Sequence, residues 1–312
     1  MTYFFEKLII IDVSIIIVNY NTWQDLRNCL DSLYAQTKGV SFEVIVVDNC
    51  SNVENIKHLR QEETRAKIIY NKKTSGFGIA NNIGITAAKG DYLFLLNSDT
   101  ILQNNAIKIF FDKMKASPKD VACLGCYLFD EKNEVTHSYG RFPTIQNCLY
   151  KFVIGSYARY LGFYKEYENY DLYNKEKDVE YITGAALFIR REITEQFGYF
   201  DSRYFLYYEE TDMLKNYAIH GLKCRIINDP KIQHLCGKSS SNKSYAEKQL
   251  LPMMSHFVYL KKWNNYFVYI LYKIIYIIIV SLNIIVLPRR QRDVNKIFLK
   301  AAFLSYPNHY LQ

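Results

Sequence analysis

The chain has 312 residues, 49% of them hydrophobic, enough to bury a large core. Its formal net charge of +8 is uneven: from Lys261 onward eight Lys or Arg (261, 262, 273, 289, 290, 292, 296 and 300) stand against Asp293 alone, leaving about +1 on everything before. A basic tail beside apolar sequence points to an anionic membrane surface, and the near-neutral remainder argues against nucleic acid as a partner.

Met1 to Leu8 carries Glu6 and Lys7 and no long apolar run, so a cleavable leader is not expected. Seven scattered cysteines, an odd number, do not make a disulfide framework and fit a reducing, cytoplasmic setting. Val13 to Asn19 reads as a buried strand, and Thr22 as the N-cap of a helix through Leu26, Leu30, Leu33 and Tyr34. Phe42 to Val47 is a second strand, ending on Asp48-Asn49. A charged stretch from Glu54 to about Ala66 reads as a surface helix, Lys67 to Tyr70 as a third strand and Gly76 to Ala88 as a helix. Tyr92 to Leu96 is an unbroken apolar run, hence a strand buried on both faces, and it stops on Asn97-Ser98-Asp99 before a helical stretch. This alternation over the first 115 residues specifies an α/β sheet built from right-handed crossovers.

Three strands thus end on polar groups: Asn19 with Asn21, Asp48 with Asn49, and Asn97-Ser98-Asp99. In an open parallel sheet the ligand crevice lies beyond the carboxyl ends of the strands. Asp48 is suited to accept from a pyrimidine N3–H or a ribose hydroxyl. Asp99 either holds a divalent cation against a diphosphate or caps the following helix. The stretch from Gly76 to Gly84 is not a dinucleotide fingerprint, because its third glycine position holds Asn81. Its glycines are expected to let the backbone approach a ligand while Asn81 and Asn82 supply donors and acceptors.

Further on, Val121 to Phe129 is a strand, Tyr139 to Pro143 a loop, and Gly155 to Tyr173 an irregular Tyr-rich stretch assigned to the acceptor side. Cys123 and Cys126 lie inside that strand with no second pair, so a zinc or redox role is not expected. Val179 to Arg191 is interrupted at Thr183-Gly184-Ala185, which suits a backbone close under a substrate or a tight packing contact. Five bulky residues, Tyr204 to Tyr208, precede Glu209 and Glu210, with Asp212 two positions on. Such crowding raises at least one carboxyl pKa and favours a base that deprotonates a sugar hydroxyl; a charged helix N-terminus is the plainer alternative. His234 ends a strand-like stretch beside Cys236-Gly237-Lys238-Ser239-Ser240, as a metal ligand, a diphosphate contact or a structural residue.

The runs SIIIVNYN (14–21), VIVVDN (44–49), GFGIANNIG (76–84), LLNSDT (95–100), YITGAALFIRRE (181–192), FGYFDSRYFLYYEETDM (197–213) and HLCGKSS (234–240) occur in this order over about three-quarters of the chain. Together they resemble the inverting family-2 nucleotide-sugar glycosyltransferases, most closely the rhamnosyltransferase-like branch. The resemblance implies a GT-A (Rossmann-like nucleotide-diphospho-sugar transferase) fold with Asp48 at the nucleobase. It makes Asp99 the metal-binding aspartate of a degenerate D-x-D position, with His234 as the second metal contact and Mg²⁺ or Mn²⁺ as the ion. Glu210 stands where the family has the catalytic Asp of its Glu-Asp pair, which leaves Glu209 as the other candidate base. The expected nucleotide-sugar site is Asn19, Asn21, Asp48, Asn49, Gly76, Phe77, Asn81, Asn82, Asn97, Ser98, Gly184 and Ala185. The implied reaction moves a sugar, L-rhamnose from dTDP-rhamnose, to a hydroxyl of a lipid-linked saccharide in surface polysaccharide synthesis. A UDP-galactofuranose or UDP-hexose donor is the alternative within the chemistry; a catalytically silent nucleotide-sugar-binding scaffold subunit is the alternative outside it.

Tyr266 to Leu287 is long and apolar enough for a membrane span, but Lys273 interrupts it; a span and a core or oligomer contact stay open beside the reading that follows. Lys262, Tyr266, Tyr269, Lys273, Tyr276 and Asn283 recur at helical spacing as a narrow polar stripe, which predicts a helix lying in the membrane interface, with Pro288-Arg289-Arg290-Gln291-Arg292 on lipid phosphates. Residues 1–250 are accordingly expected to form the transferase domain (1–115 the nucleotide-binding half, 116–250 the acceptor-binding half). Residues 251–312 are expected to form a membrane-associating helical tail, placing the protein peripherally on the cytoplasmic face of the cell membrane.

Overall fold

Strand β1 (Val13–Asn19) pairs in parallel with β2 (Phe42–Asp48) on one side and β4 (Tyr92–Asn97) on the other, and β2 pairs in parallel with β3 (Lys67–Tyr70). The computed structural model describes residues 11–150, 175–235, 248–287 and 289–304; the Tyr-rich stretch 155–173 and the loop 236–240 lie outside them. Helices α1 (Trp23–Gln36), α2 (Val53–Glu62) and α3 (Phe77–Ala87) make the crossovers. The surface helix expected to reach Ala66 stops at Glu62, and the Thr22 side chain makes no capping bond to α1.

Beyond β4 the sheet is mixed. β11 (Ala186–Arg190) runs antiparallel to β4 and, on its other side, antiparallel to β6 (Val121–Phe129). β6 pairs in parallel with β12 (Lys223–His234), and β12 in antiparallel with β5 (Thr100–Leu102). The order is β3-β2-β1-β4-β11-β6-β12-β5. β5 comes directly after Asp99, and the next helix, α4 (Ala106–Ala116), has Asn105 at its N-cap position, so Asp99 caps no helix. Among the short strands, β7 (Val135–Thr136) pairs with β6 and β9 (Lys177–Val179) with β12. β8 (Tyr139–Gly140) pairs with β10 (Tyr181–Ile182), so part of the expected loop at Tyr139 is strand.

The reversed direction of β11 matters for function. Its N-terminal end, not its C-terminal end, lies where β1, β2 and β4 finish, and the Asn97 N–H donates to the Ala185 carbonyl at 3.0 Å. Residues that precede a strand thereby join residues that end three others.

The unbroken apolar runs follow from burial on both faces. Ile15, Ile17 and Phe94 pack in one core cluster with Leu30 and Phe110, while Ile16, Leu93 and Leu95 pack in a second with Ala80 and Leu214. Cys126 belongs to the first cluster and Cys123 to the second, because an odd spacing along a strand sends side chains to opposite faces. The C-x-x-C spacing therefore brings no pair together.

Helices α5 (Arg191–Phe197) and α6 (Glu209–Ile219) follow β11, and α7 (Leu250–Trp263), α8 (Tyr266–Val286) and α9 (Arg289–Phe303) form the C-terminal part. A third core cluster joins Met254, Phe257, Tyr269, Tyr272 and Tyr276 to Tyr204, with Phe205 and Tyr208 packed against it. This shows which side of the tail helix meets the protein. Tyr269, Tyr276 and Asn283 of the polar stripe are buried against the protein, while Phe267, Leu271, Ile274, Ile278, Leu282 and Ile285 face outward, Phe267 at 80% exposure and Ile285 at 78%. The physical reason is packing: the Tyr276 ring meets Phe257 edge-on and lies against Tyr272, and Asn283 Nδ2 reaches Asn295 Oδ1 at 3.5 Å.

Candidate functional site

The ends of β1 and β2 are stitched to each other. Asp48 is fully buried; its Oδ2 accepts from Asn19 Nδ2 at 2.8 Å and its Oδ1 from the Ser51 N–H at 3.0 Å. Ser51, which sequence reasoning did not single out, also accepts from the Asn21 N–H at 2.9 Å, with Asn21 at φ +56°. Thr22 spends its hydroxyl on Asn19 Oδ1 at 3.0 Å and lies 3.1 Å from the Ser98 hydroxyl, which ties this corner to the end of β4. Asn49 Oδ1 accepts from the Ser75 N–H at 3.1 Å and the Ser75 hydroxyl at 3.0 Å, fixing the loop that leads into α3.

The glycine stretch works differently from the expectation. Gly76 has φ +79°, and a Cβ there would lie 2.5 Å from the Phe205 carbonyl oxygen. The Phe77 N–H donates to that oxygen at 2.9 Å. The close approach that requires glycine is thus to the segment before the acidic pair. Asn82 donates to the Phe200 carbonyl at 2.8 Å and accepts from the Phe200 N–H at 3.1 Å, and Asn81 donates to the Phe77 carbonyl at 3.0 Å. Both amides hold backbone, where a ligand contact was expected, because each side chain meets a peptide group of matching polarity.

Tyr207 and Tyr208 carry φ values of +70° and +69°, two successive left-handed residues without a glycine. Such conformations cost bulky residues about 1–3 kcal/mol each and persist where the surroundings over-determine them. They deliver Glu209 and Glu210 into the first turn of α6, where the helix dipole favours negative charge. Glu209 is only 3% exposed and its Oε2 has no hydrogen-bond partner. Burial, and then the charge of Glu210, hold the Glu209 carboxyl well above the usual range. Burial also raises Glu210, opposed by the nearby backbone amides of Glu210 itself, Gly184 and Thr211. Glu210 is half-buried and therefore the more accessible of the two.

Asp212 does not belong to this crowd, contrary to the expectation. It accepts from Lys262 Nζ at 2.6 Å, Trp263 Nε1 at 2.7 Å and the Tyr204 hydroxyl at 3.1 Å, a set of donors that turns it toward α7.

At the end of β4, Asp99 Oδ1 lies 3.2 Å from His234 Nε2, and Asn97 Nδ2 lies 3.3 Å from the same nitrogen. The β5–β12 pairing, which sets His234 opposite Thr100, makes this meeting possible. Asn97 Oδ1 is buried without a hydrogen-bond partner. A carboxylate, an imidazole and an orphaned amide oxygen suit a hard divalent cation that completes its shell with ligand oxygens. Among the described residues no third His, Cys, Asp or Glu joins Asp99 and His234. Successive contacts link the two ends of the site: Glu210 to Gly184, Ala185 to Asn97, and Asn97 to His234 and Asp99.

Residues 14–198 match the family model described as Glycosyl transferase family 2. The chain is 27% identical over 124 residues to glycosyltransferase GlyG of Streptococcus pneumoniae, covering 39% of this chain and 41% of that protein. It is 28% identical over 213 residues to the low-salt glycan biosynthesis hexosyltransferase Agl10 of Haloferax volcanii, covering 66% and 62%. The matched stretches thus span less than two-thirds of these two relatives. Rhamnosyltransferase WbbL of Escherichia coli is 22% identical over 243 residues, covering 76% of this chain and 87% of that one. Among solved structures, GalNAc-T7 with UDP, GalNAc and Mn²⁺ superposes with a TM-score of 0.57 at 15% identity, covering 92% of this chain and 55% of that one.

Proposed function

The chain belongs to glycosyl transferase family 2 and has a mixed α/β sheet of GT-A-like fold, and from that premise we propose that it moves a sugar from a nucleotide-diphosphate donor to an acceptor hydroxyl with inversion. The observation that carries this reading is the run of contacts from Glu210 through Gly184, Ala185 and Asn97 to His234 and Asp99, which joins a base to a metal-competent group at one sheet edge.

Glu210 is the base, since it is the reachable carboxylate of the pair and nearby backbone amides favour its ionised form. It takes the proton from the acceptor hydroxyl as that oxygen attacks the anomeric carbon from the face opposite the leaving diphosphate. Beside it, burial and the charge of Glu210 disfavour ionisation of Glu209, so the pair resists carrying two negative charges. Asp99, His234 and Asn97 would hold Mg²⁺ or Mn²⁺, which supplies charge neutralisation to the departing diphosphate when bound. Asn19, Asp48 and Asn49 shape the nucleoside end.

L-Rhamnose from dTDP-rhamnose is the donor we favour, supported by the likeness to a rhamnosyltransferase; UDP-hexoses are the second reading, supported by the hexosyltransferase relative. A lipid-linked saccharide is the proposed acceptor, because the exposed aliphatic face of α8 suits the surface of a bilayer. On the same ground the protein is proposed to sit peripherally on the cytoplasmic face of the cell membrane.

The test is cleavage of dTDP-rhamnose, UDP-galactose, UDP-glucose and UDP-galactofuranose by the purified full chain with Mg²⁺ or Mn²⁺, with and without EDTA. Metal-dependent release of the nucleoside diphosphate from one donor, lost in Asp99→Asn, supports the reading. Absence of both binding and cleavage across the panel overturns it.

A further inference from the structure

We propose that His256 is a positioning residue for the Glu209–Glu210 pair, acting through Tyr208 and taking its own place from Tyr272 of α8. Its catalytic consequence rests on the transferase reading above; its geometry does not.

Two consecutive tyrosines in left-handed backbone are an unfavourable way to begin a helix, so the turn has to be held from outside. Part of the hold comes from α3, through the Phe77 N–H on the Phe205 carbonyl. The rest comes from the C-terminal helices. The Ser255 hydroxyl donates to the Leu206 carbonyl at 2.7 Å. One residue on, His256 Nδ1 lies 3.0 Å from the Tyr208 hydroxyl, and His256 Nε2 lies 2.9 Å from the Tyr272 hydroxyl. The imidazole is buried, and its ring meets that of Tyr208 edge-on at 5.8 Å.

A neutral imidazole donates through one nitrogen and accepts through the other, and each phenol can do either. One bridging ring therefore satisfies both hydroxyls and fixes the distance between α8 and the residue just ahead of Glu209. A phenyl ring in its place would fill the same space and hold neither phenol. Beyond the pair, Lys262 and Trp263 grip Asp212, so α7 holds the first turn of α6 on both sides of the carboxylates. Because the opposite face of α8 is the exposed aliphatic one, whatever that face settles against also sets where Tyr272 lies.

The experiment uses the full chain with His256→Phe and Tyr272→Phe. Backbone hydrogen–deuterium exchange should quicken about tenfold or more over residues 203–212 in His256→Phe, with β4 unchanged. With whichever sugar nucleotide of the donor panel the wild type cleaves, kcat should fall about tenfold or more while KM for the donor stays within twofold, as expected when a reacting group is displaced. Tyr272→Phe should move both readouts in the same direction by less. Unchanged exchange in folded His256→Phe, or faster exchange with kcat unchanged, overturns the proposal. If His256→Phe does not fold, Tyr272→Phe decides by the same criteria. If the wild type neither binds nor cleaves any donor, the transferase reading fails; wherever no donor is cleaved, the exchange measurement alone decides whether His256 positions the turn.

Discussion

Gly184 lies against Glu210, close enough for its backbone amide to favour the ionised carboxylate against the effect of burial, which sets the entry to an antiparallel strand beside the first turn of the helix that carries the acidic pair. A Cβ on Gly184 would lie 3.5 Å from Phe77 and 4.0 Å from Glu210, so the position accepts a small side chain but leaves little room beside the base. That contact fixes the base relative to the end of β4 and gives the following outcomes.

Glu210→Gln should lower sugar transfer by about 10²–10⁴-fold, the usual contribution of a general base. Glu209→Gln should lower it far less, since Glu209 is buried and its ionised form is disfavoured there. Rates of nucleoside-diphosphate release, with circular dichroism to verify folding, distinguish the two; equal losses would move the base assignment.

Glu209 also sets a pH dependence of stability. Its folded-state pKa is raised, so below the ordinary value of 4.5 both the folded and unfolded chains bind the proton and burial of the group is not penalised. As pH climbs past that value the unfolded chain ionises first, and stability falls by up to about 1.4 kcal/mol per pH unit until the folded group ionises too. Glu209→Gln should therefore raise the melting temperature by a few degrees at pH 7 and leave it unchanged near pH 4. Melting curves across that range check the sign.

Lys262 bonds both Asp201, at 2.9 Å, and the buried Asp212, at 2.6 Å. Lys262→Met should cost about 1–3 kcal/mol, the loss of a charged hydrogen bond at a buried acceptor. The double variant with Asp212→Asn should cost less than the sum of the two single changes, because the carboxylate no longer needs the cation. Urea midpoints for the three variants give the coupling.

On the outward face of α8, Ile278→Glu should leave stability within about 0.5 kcal/mol, as surface changes usually do. It should nonetheless cut sedimentation with vesicles of phosphatidylglycerol and phosphatidylcholine several-fold. Val280→Glu on the buried side should instead destabilise the chain. Undiminished sedimentation of the Ile278 variant would exclude a bilayer as the occupant of this face.

Much of the sheet was legible in the sequence because strands buried on both faces leave unbroken apolar runs, as at Ile15–Ile17 and Leu93–Leu96. The polar terminations at Asp48 and Asp99 and the paired carboxylates were equally visible. Strand direction was not: an apolar run such as Ala186–Arg190 packs the same way up or down, and only its pairing with β4 shows that it is reversed. Periodicity likewise revealed a stripe on α8 without saying which side meets the protein, and it is the side of Tyr276 and Asn283 that is buried. Asn82 was misread for a similar reason, since an amide matched to the Phe200 peptide group leaves no trace in local sequence. The left-handed pair at Tyr207 and Tyr208 carried no glycine or asparagine to announce it, and Ser255 and His256 come 46 or more residues after Glu209.

The inward-turned tyrosines of α8 bear on how the protein is handled as well as how it works. Trimming the chain at residue 249, a natural step for improving solubility, would strip the cover from Tyr204 and Tyr208 and leave Asp212 without Lys262 and Trp263. The shortened product would keep its sheet yet lose the scaffold behind its acidic pair, so an inert fragment would say nothing against the activity of the whole.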